Sequence, residues 1–196
     1  MVRLGLDASQ RITSCAVSTD QGIVAALTMD KPIENFTVLI RETLLQANVS
    51  LEDLNEIVVC IGPGSQMGVR TTVVTGNALA LALGVPITGI LSTDALAAAS
   101  PVHELHNVAV SAGRSRWYVT KYNWVEDKLL RLDKLQLIDE IPASNYPTLR
   151  SDSFDFNKAK LCAHGILTIV EEQRHLITQS MVSEVAPYEH GGEYDG

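Results

Sequence analysis

The chain has 196 residues, 46% of them hydrophobic and 19% charged, enough apolar side chain to bury a core and too much for a disordered chain. Its 15 Lys and Arg against 23 Asp and Glu leave a net charge of −8, which argues against gripping a nucleic-acid backbone unaided, since that needs clustered cations. Aromatics reach only 5%, and the abundance of Val, Ile, Leu and Ala suits strands packed against helices, in one large domain or two small lobes.

The N-terminal third reads as strands first. Val2, Leu4 and Leu6 alternate with Arg3 and Gly5, and Asp7-Ala8-Ser9-Gln10 supplies a turn. Ile12–Ser18 is a second strand, Asp20-Gln21-Gly22 a second turn and Ile23–Thr28 a third strand. Three strands on short turns make an antiparallel meander, unlike the start of a Rossmann unit. Because Asp7 interrupts it, this start is not read as a signal peptide.

Asp30 and Pro32 open a helix, Ile33–Asn48, with Ile33, Phe36, Ile40, Leu44 and Ala47 on one face. Val38, Leu39 and Leu45 spread apolar surface onto another. A polar helical turn at Ser50–Glu56 precedes the strand Ile57–Ile61, whose unbroken apolar run predicts cover on both sides. The loop Gly62–Gly68 leads into a helix over Val69–Leu83, rich in small residues (Gly76, Ala78, Ala80, Ala82) that would let another helix approach. Gly84 and Pro86 end it, and they break the apolar stretch Val73–Leu91 too early for a membrane span. A strand over Pro86–Ile90 and a short helix over Asp94–Ala99 follow.

Beyond Asn107 the meander recurs in weaker form. Strands are predicted at Asn107–Ser111, Trp117–Trp124 and Leu129–Ile138, with turns at Ala112-Gly113-Arg114 and Glu126-Asp127. Polar residues and prolines fill Asp139–Asn157, and a helix is predicted over Lys158–Arg174. The pattern implies two related lobes, residues 1–100 and 101–196, the second cut down.

Few residues offer chemistry. The glycines of Gly62–Gly68 could present backbone N–H groups to a phosphate at the helix start, but the spacing fits neither a Walker loop nor a dinucleotide fingerprint, and a tight turn is the plainer reading. Asp7 could hold Mg²⁺ and phosphates as in actin-like ATPases. Such a clamp needs a facing carboxylate, and the matching turn, Val110–Arg114, has none, leaving Arg114 as a phosphate contact and Asp7 as a surface turn. His103 and His106 sit three apart in what reads as an exposed loop, His164 and His175 fall in and at the end of the late helix, and His190 is in the tail. No metal site follows from them. Cys15, Cys60 and Cys162 are widely spaced in apolar settings, as expected of reduced, buried thiols. Ser9, Ser14 and Ser65 lack the Gly-x-Ser-x-Gly elbow of a nucleophile.

Three stretches carry a family likeness: Leu4-Gly5-Leu6-Asp7-Ala8-Ser9, Ile61–Arg70 with its Gly62-Pro63-Gly64-Ser65, and Ala78–Pro86. They resemble the TsaB (YeaZ) family, whose central motif usually reads GPGSFTGVR. Gln66 and Met67 depart from that motif, while the glycines, Ser65 and Arg70 match. Trp117-Tyr118 and Val185–Tyr188 resemble later parts of the family.

The resemblance implies an actin-like (ASKHA) α/β fold of two lobes, each with a mixed sheet that begins as a meander. It also implies a cytoplasmic role in making threonylcarbamoyladenosine in tRNA. The expected partners are a TsaD-like paralogue, which carries the metal, nucleotide and transfer chemistry, and a TsaE-like ATPase, with tRNA reached only through the complex. A homodimer is the alternative assembly. TsaD's metal is held partly by a histidine pair on its first long helix, and the matching helix here has no histidine. A non-catalytic partner without metal or cofactor is therefore expected, with a glycoprotease-like peptidase or an ASKHA phosphotransferase as the rival activities. Asp7, Ser9, Gly64, Ser65 and Arg114 would be a vestigial phosphate site. The surplus apolar surface of the two long helices, with Phe36, Ile40, Met67, Arg70, Val74 and Leu81 as its candidates, would be the partner interface.

Overall fold

The computed structural model describes residues 1–30, 35–152, 162–177, 179–181 and 185–188. Pro32 and Ile33, read from the sequence as the start of the first helix, lie outside these residues, as do Lys158 and His190.

The meander forms as its alternation predicts. β1 (Arg3–Asp7), β2 (Thr13–Thr19) and β3 (Gly22–Met29) pair antiparallel in sequence order. β4 (Glu56–Gly62) then adds parallel to the other edge of β1, and β5 (Ile87–Leu91) parallel to β4. The edge beyond β5 is taken by β11 (Gln179–Met181), so the first sheet runs β11-β5-β4-β1-β2-β3. A three-residue strand more than eighty positions away from its partner leaves no pattern to read, and the sequence did not predict it.

β4 shows how residues position layers. Ile57, Val59 and Ile61 enter one core and Val58 and Cys60 the other, all fully buried. Burying such side chains contributes about 1.5–3 kcal/mol each. The first core lies under α1 (Phe36–Ala47) and α2 (Gln66–Leu83), which add Phe36, Leu39, Ile40, Leu44, Val69 and Val73. The second core lies between the first sheet and the second. It is filled by α3 (Ser92–Ala99) and α4 (Cys162–Glu172), which supply Leu96, Ile166 and Leu167. α4 crosses β1 at Gly5, where a Cβ would come within 2.9 Å of the Ala163 carbonyl oxygen. Arg3 ties these layers, its Nε donating to Glu56 at 2.9 Å and its Nη1 to Glu171 at 3.3 Å.

The second sheet is smaller. β6 (His106–Gly113) and β7 (Arg116–Val125) form a hairpin on the two-residue turn Arg114-Ser115, both residues at positive φ, the twist a tight hairpin favours. β8 (Lys128–Arg131) and β9 (Gln136–Ile138) lie end to end along β7, where the sequence predicted a single strand. At the break the Leu132 amide donates to the Lys121 carbonyl at 2.8 Å and the Thr120 hydroxyl to the Asp133 carbonyl at 2.7 Å. β10 (Thr148–Arg150) pairs parallel with β6, inside the stretch read as irregular. The helix in contact with this sheet among the described residues is α3, on the side of the second core. The two-sheet mixed α/β architecture is the one expected. No helix among these residues is long and apolar enough to cross a membrane.

Candidate functional site

The first turns of both sheets and the start of α2 converge on one cleft of about 1110 Å³. Its walls are the β1–β2 turn and the start of β2 (Ala8, Ser9, Gln10, Arg11, Thr13), Asp30 just after β3, the α2 start (Gly64 to Met67) and the β6–β7 hairpin (Ser111, Ala112, Gly113).

Close backbone packing builds the floor. The Ser65 amide donates to the Ser9 carbonyl at 2.7 Å, and the Ala8 amide donates to Thr72 Oγ1 at 2.9 Å. A Cβ on Gly64 would sit 2.2 Å from the Ser9 carbonyl oxygen, and one on Gly68 only 1.8 Å from that of Ala8. The glycines thus serve a tight turn against β1. Ser65 caps α2, its hydroxyl accepting from the Gly68 amide at 3.3 Å, so the helix begins three residues before the predicted Val69.

Of the residues expected to form a phosphate site, Ser9, Gly64 and Ser65 meet in the cleft wall. Arg114 does not join them. It stands on the exposed hairpin tip, outside the wall. Asp7 is not in a surface turn. It is fully buried beneath the β1–β2 turn, where Oδ1 accepts from the Ser9 amide at 2.8 Å and Oδ2 has no partner among the described residues. The turn folds over its own carboxylate, a short-range pattern typical of Asp.

None of the cysteines or histidines described lines the cleft. Cys15 and Cys60 are buried, and burial pushes the Cys15 thiol up to about 12, far from a thiolate at neutral pH. The Cys60 thiol donates to Ser9 Oγ at 3.4 Å. His106 is buried in β6 rather than exposed in a loop. Its ring stacks on Tyr122 while His103 stacks on Trp124, because the β7 aromatics sit over that edge. His175 lies against the Leu129 carbonyl at 2.7 Å, not on a helix end. Among the described residues no three His, Cys, Asp or Glu side chains are grouped to hold a metal ion.

The long helices sort the interface candidates. Phe36 and Ile40 turn inward, because α1 lays that face on β2 and β3, and both belong to the first core. Met67, Val74 and Leu81 turn outward on α2, exposed by 69%, 67% and 82%, with Arg70 on the same side. Their seven-residue spacing is two helical turns, so they form one stripe. Beside it an apolar groove of about 340 Å³ runs between α1 and α2, lined by Ile40, Leu44, Leu45, Thr75 and Leu79 among others. The small residues of α2 serve the sheet, not a helix: a Cβ on Gly76 would lie 2.3 Å from Val59 Cγ1.

Sequence reading missed a buried ion pair, Asp94 with Arg131, and Tyr122 which joins it. These residues lie on α3, β7 and β8, too far apart in sequence for any spacing to pair them.

Relatives share this architecture. The whole chain superposes on YeaZ from Pseudomonas aeruginosa with a TM-score of 0.80 at 17% identity, covering 96% of this chain and 99% of that one. Over 69 residues it is 39% identical to the tRNA N6-adenosine threonylcarbamoyltransferase of Geotalea uraniireducens, 35% of this chain and 20% of that protein. Over 59 residues it is 36% identical to the tRNA threonylcarbamoyladenosine biosynthesis protein TsaB of Buchnera aphidicola, 30% of this chain and 28% of that protein. These two sequence matches span 20% and 28% of the relatives' own length. The model of one family extends much further along the chain, over residues 8–169, and by that match the chain belongs to the TsaD family, tRNA N6-adenosine threonylcarbamoyltransferase.

Proposed function

We propose that this chain is a non-catalytic partner of a TsaD-type transferase in the formation of threonylcarbamoyladenosine in tRNA. One observation carries the reading: the outward stripe Met67, Val74, Leu81 beside an apolar groove, on helices that already have a core of their own. Scattered exposed apolar residues need no explanation, but an apolar stripe on the same helix that walls an apolar groove is a surface a partner helix pair would cover. The partner-facing set then becomes Met67, Arg70, Val74 and Leu81, and a second copy of this chain is the alternative occupant. A TsaE-like ATPase would join the pair, tRNA would be held by the other subunits, and the assembly would work in the cytoplasm. Residues 1–100 and 101–196 would act as its two lobes, the first carrying the interface.

The cleft supports the non-catalytic half of the proposal. In an actin-like enzyme two facing carboxylates would hold a metal there. Here Asp7 is turned into the fold, and the opposing hairpin offers Ser111, Ala112 and Gly113. The carboxylate that does line the cleft, Asp30, follows β3 of the first sheet and pairs with Arg11 rather than facing Asp7 from the hairpin. Ser9, Gly64 and Ser65 then form a vestigial phosphate site at most. Reconstitution tests the reading: the transferase with this chain should form threonylcarbamoyladenosine faster than the transferase without it. The isolated chain should turn over neither ATP nor a peptide substrate. Steady ATP or peptide hydrolysis by the isolated chain, lost in Ser65→Ala, would favour the phosphotransferase or peptidase reading instead.

A further inference from the structure

A second pocket, of about 420 Å³, adjoins the cleft, and Gly64, Gln66 and Ala112 wall both. Its remaining walls come from three distant stretches: Arg70 on α2, Tyr118 on β7, and Pro187-Tyr188 after β11. That last stretch is fastened in place. Asn77 Nδ2 donates to the Val185 carbonyl at 2.8 Å, the Val185 amide returns a bond to Asn77 Oδ1 at 3.0 Å, and the Tyr188 amide donates to the Ile61 carbonyl at 2.7 Å. Val185 itself is buried in the first core. The wall carrying Tyr188 is therefore fixed against β4 and α2.

The chemistry of the lining is one-sided. Arg70 is its cation, and no carboxylate lines the pocket among the described residues. Arg70 also makes no ion pair among them, in a chain whose net charge is −8. A guanidinium fork beside the turn at Gly62–Gly64 suits an oxyanion, which accepts charge-assisted hydrogen bonds from it. We infer that this pocket binds the oxyanion of a small carboxylate or phosphate, with Arg70 as its principal contact and Tyr118 and Tyr188 as flanking contacts.

The inference concerns the chain by itself and does not depend on the partner. Its test is titration of the isolated chain with inorganic phosphate and, separately, with acetate at constant ionic strength, read by NMR at Arg70 Nε–H and the Gly62 and Gly64 amides. At least one anion should give saturable shifts, and which one does so distinguishes the two sources. Arg70→Gln should weaken that binding about 10-fold, the loss of one charge-assisted contact. Arg70→Lys should retain part of it, and Arg114→Gln should leave it unchanged. Shifts that stay linear with both anions overturn the inference. So does saturable binding with unchanged affinity in Arg70→Gln, or with shifts centred on Ser9–Arg11.

Discussion

Arg131 meets the buried carboxylate of Asp94 with two nitrogens, Nε at 3.0 Å from Oδ1 and Nη2 at 2.7 Å from Oδ2. The Tyr122 hydroxyl donates to Oδ1 as well. The contact ties α3, which lies between the two sheets, to β7 and β8 of the second. Burial pushes the Asp94 carboxyl up, while the guanidinium draws it back down, and the bidentate geometry keeps the charged form paired. Arg131→Met removes one partner and leaves the carboxylate unpaired in the interior, at a cost of about 3 kcal/mol. Arg131→Met combined with Asp94→Leu and Tyr122→Phe, which removes the hydroxyl that would lose its acceptor, should recover most of that loss. Urea denaturation of the variants measures both, and a single-variant loss below about 1 kcal/mol would mean that the pair does not hold α3 to the second sheet.

Gly68 tests the floor of the cleft. Its Cβ would lie 1.8 Å from the Ala8 carbonyl oxygen, a backbone atom that cannot rotate away. Gly68→Ala should therefore destabilise the chain by about 1–3 kcal/mol, as overpacking does. It should also disturb the amides of Ala8 and Ser9 in an NMR spectrum, although a helix interior ordinarily prefers Ala to Gly. Equal stability would show that α2 can move off β1.

The strand and helix order was legible wherever a pattern was local. The alternation of Val2–Leu6, the unbroken run Ile57–Ile61 and the Gly84 stop each mark one element within a few residues. What could not be read depends on pairing at a distance. β10 and β11 are three residues each and are defined only by β6 and β5. Periodicity likewise showed that the long helices carry surplus apolar surface, but it could not say that Phe36 and Ile40 face inward while Val74 and Leu81 face out. That depends on which side the sheet lies. Asp7 was legible as a turn former, but its burial was not, since the burial follows from α2 closing over the turn.

Acid should weaken the chain through His106. Burial holds its imidazolium below the ordinary histidine value; the bond to the Glu104 carbonyl and the Glu104 charge oppose this, and His103 adds to it. Nε2 is buried without a partner among the described residues, so the neutral ring is the form that fits. With the folded pKa lower than the unfolded value of about 6.5, the unfolded state binds more protons between the two. This stability is present above about pH 6.5 and is lost as pH falls through the folded pKa. Denaturation midpoints from pH 7.5 to 5 should drop more steeply in the wild type than in His106→Asn. Parallel curves would assign the acid sensitivity to other groups.

Asp7→Asn separates a turn former from a metal ligand. The amide oxygen can still accept from the Ser9 amide, so the turn is kept while a carboxylate that could hold a metal is removed. The variant should be at least as stable as the wild type in thermal unfolding, and the reconstituted complex should form threonylcarbamoyladenosine at an unchanged rate. A tenfold or greater loss of that rate with stability intact would give Asp7 a role in the chemistry.

The central claim is that the outward face of α2 docks a TsaD-type transferase. Sedimentation velocity of the two proteins mixed, with Val74→Glu and Leu81→Glu compared to the wild type, tests it most directly. Both residues are exposed, so charge there should leave circular dichroism and melting of the isolated chain unchanged, whereas Phe36→Glu in the core should unfold it. A charge at the centre of an interface costs roughly 2 kcal/mol or more. The account predicts that the wild type sediments as a complex and that each charged variant sediments as separate proteins. A complex that persists in Val74→Glu, in Leu81→Glu and in the double variant, all folded, would contradict it.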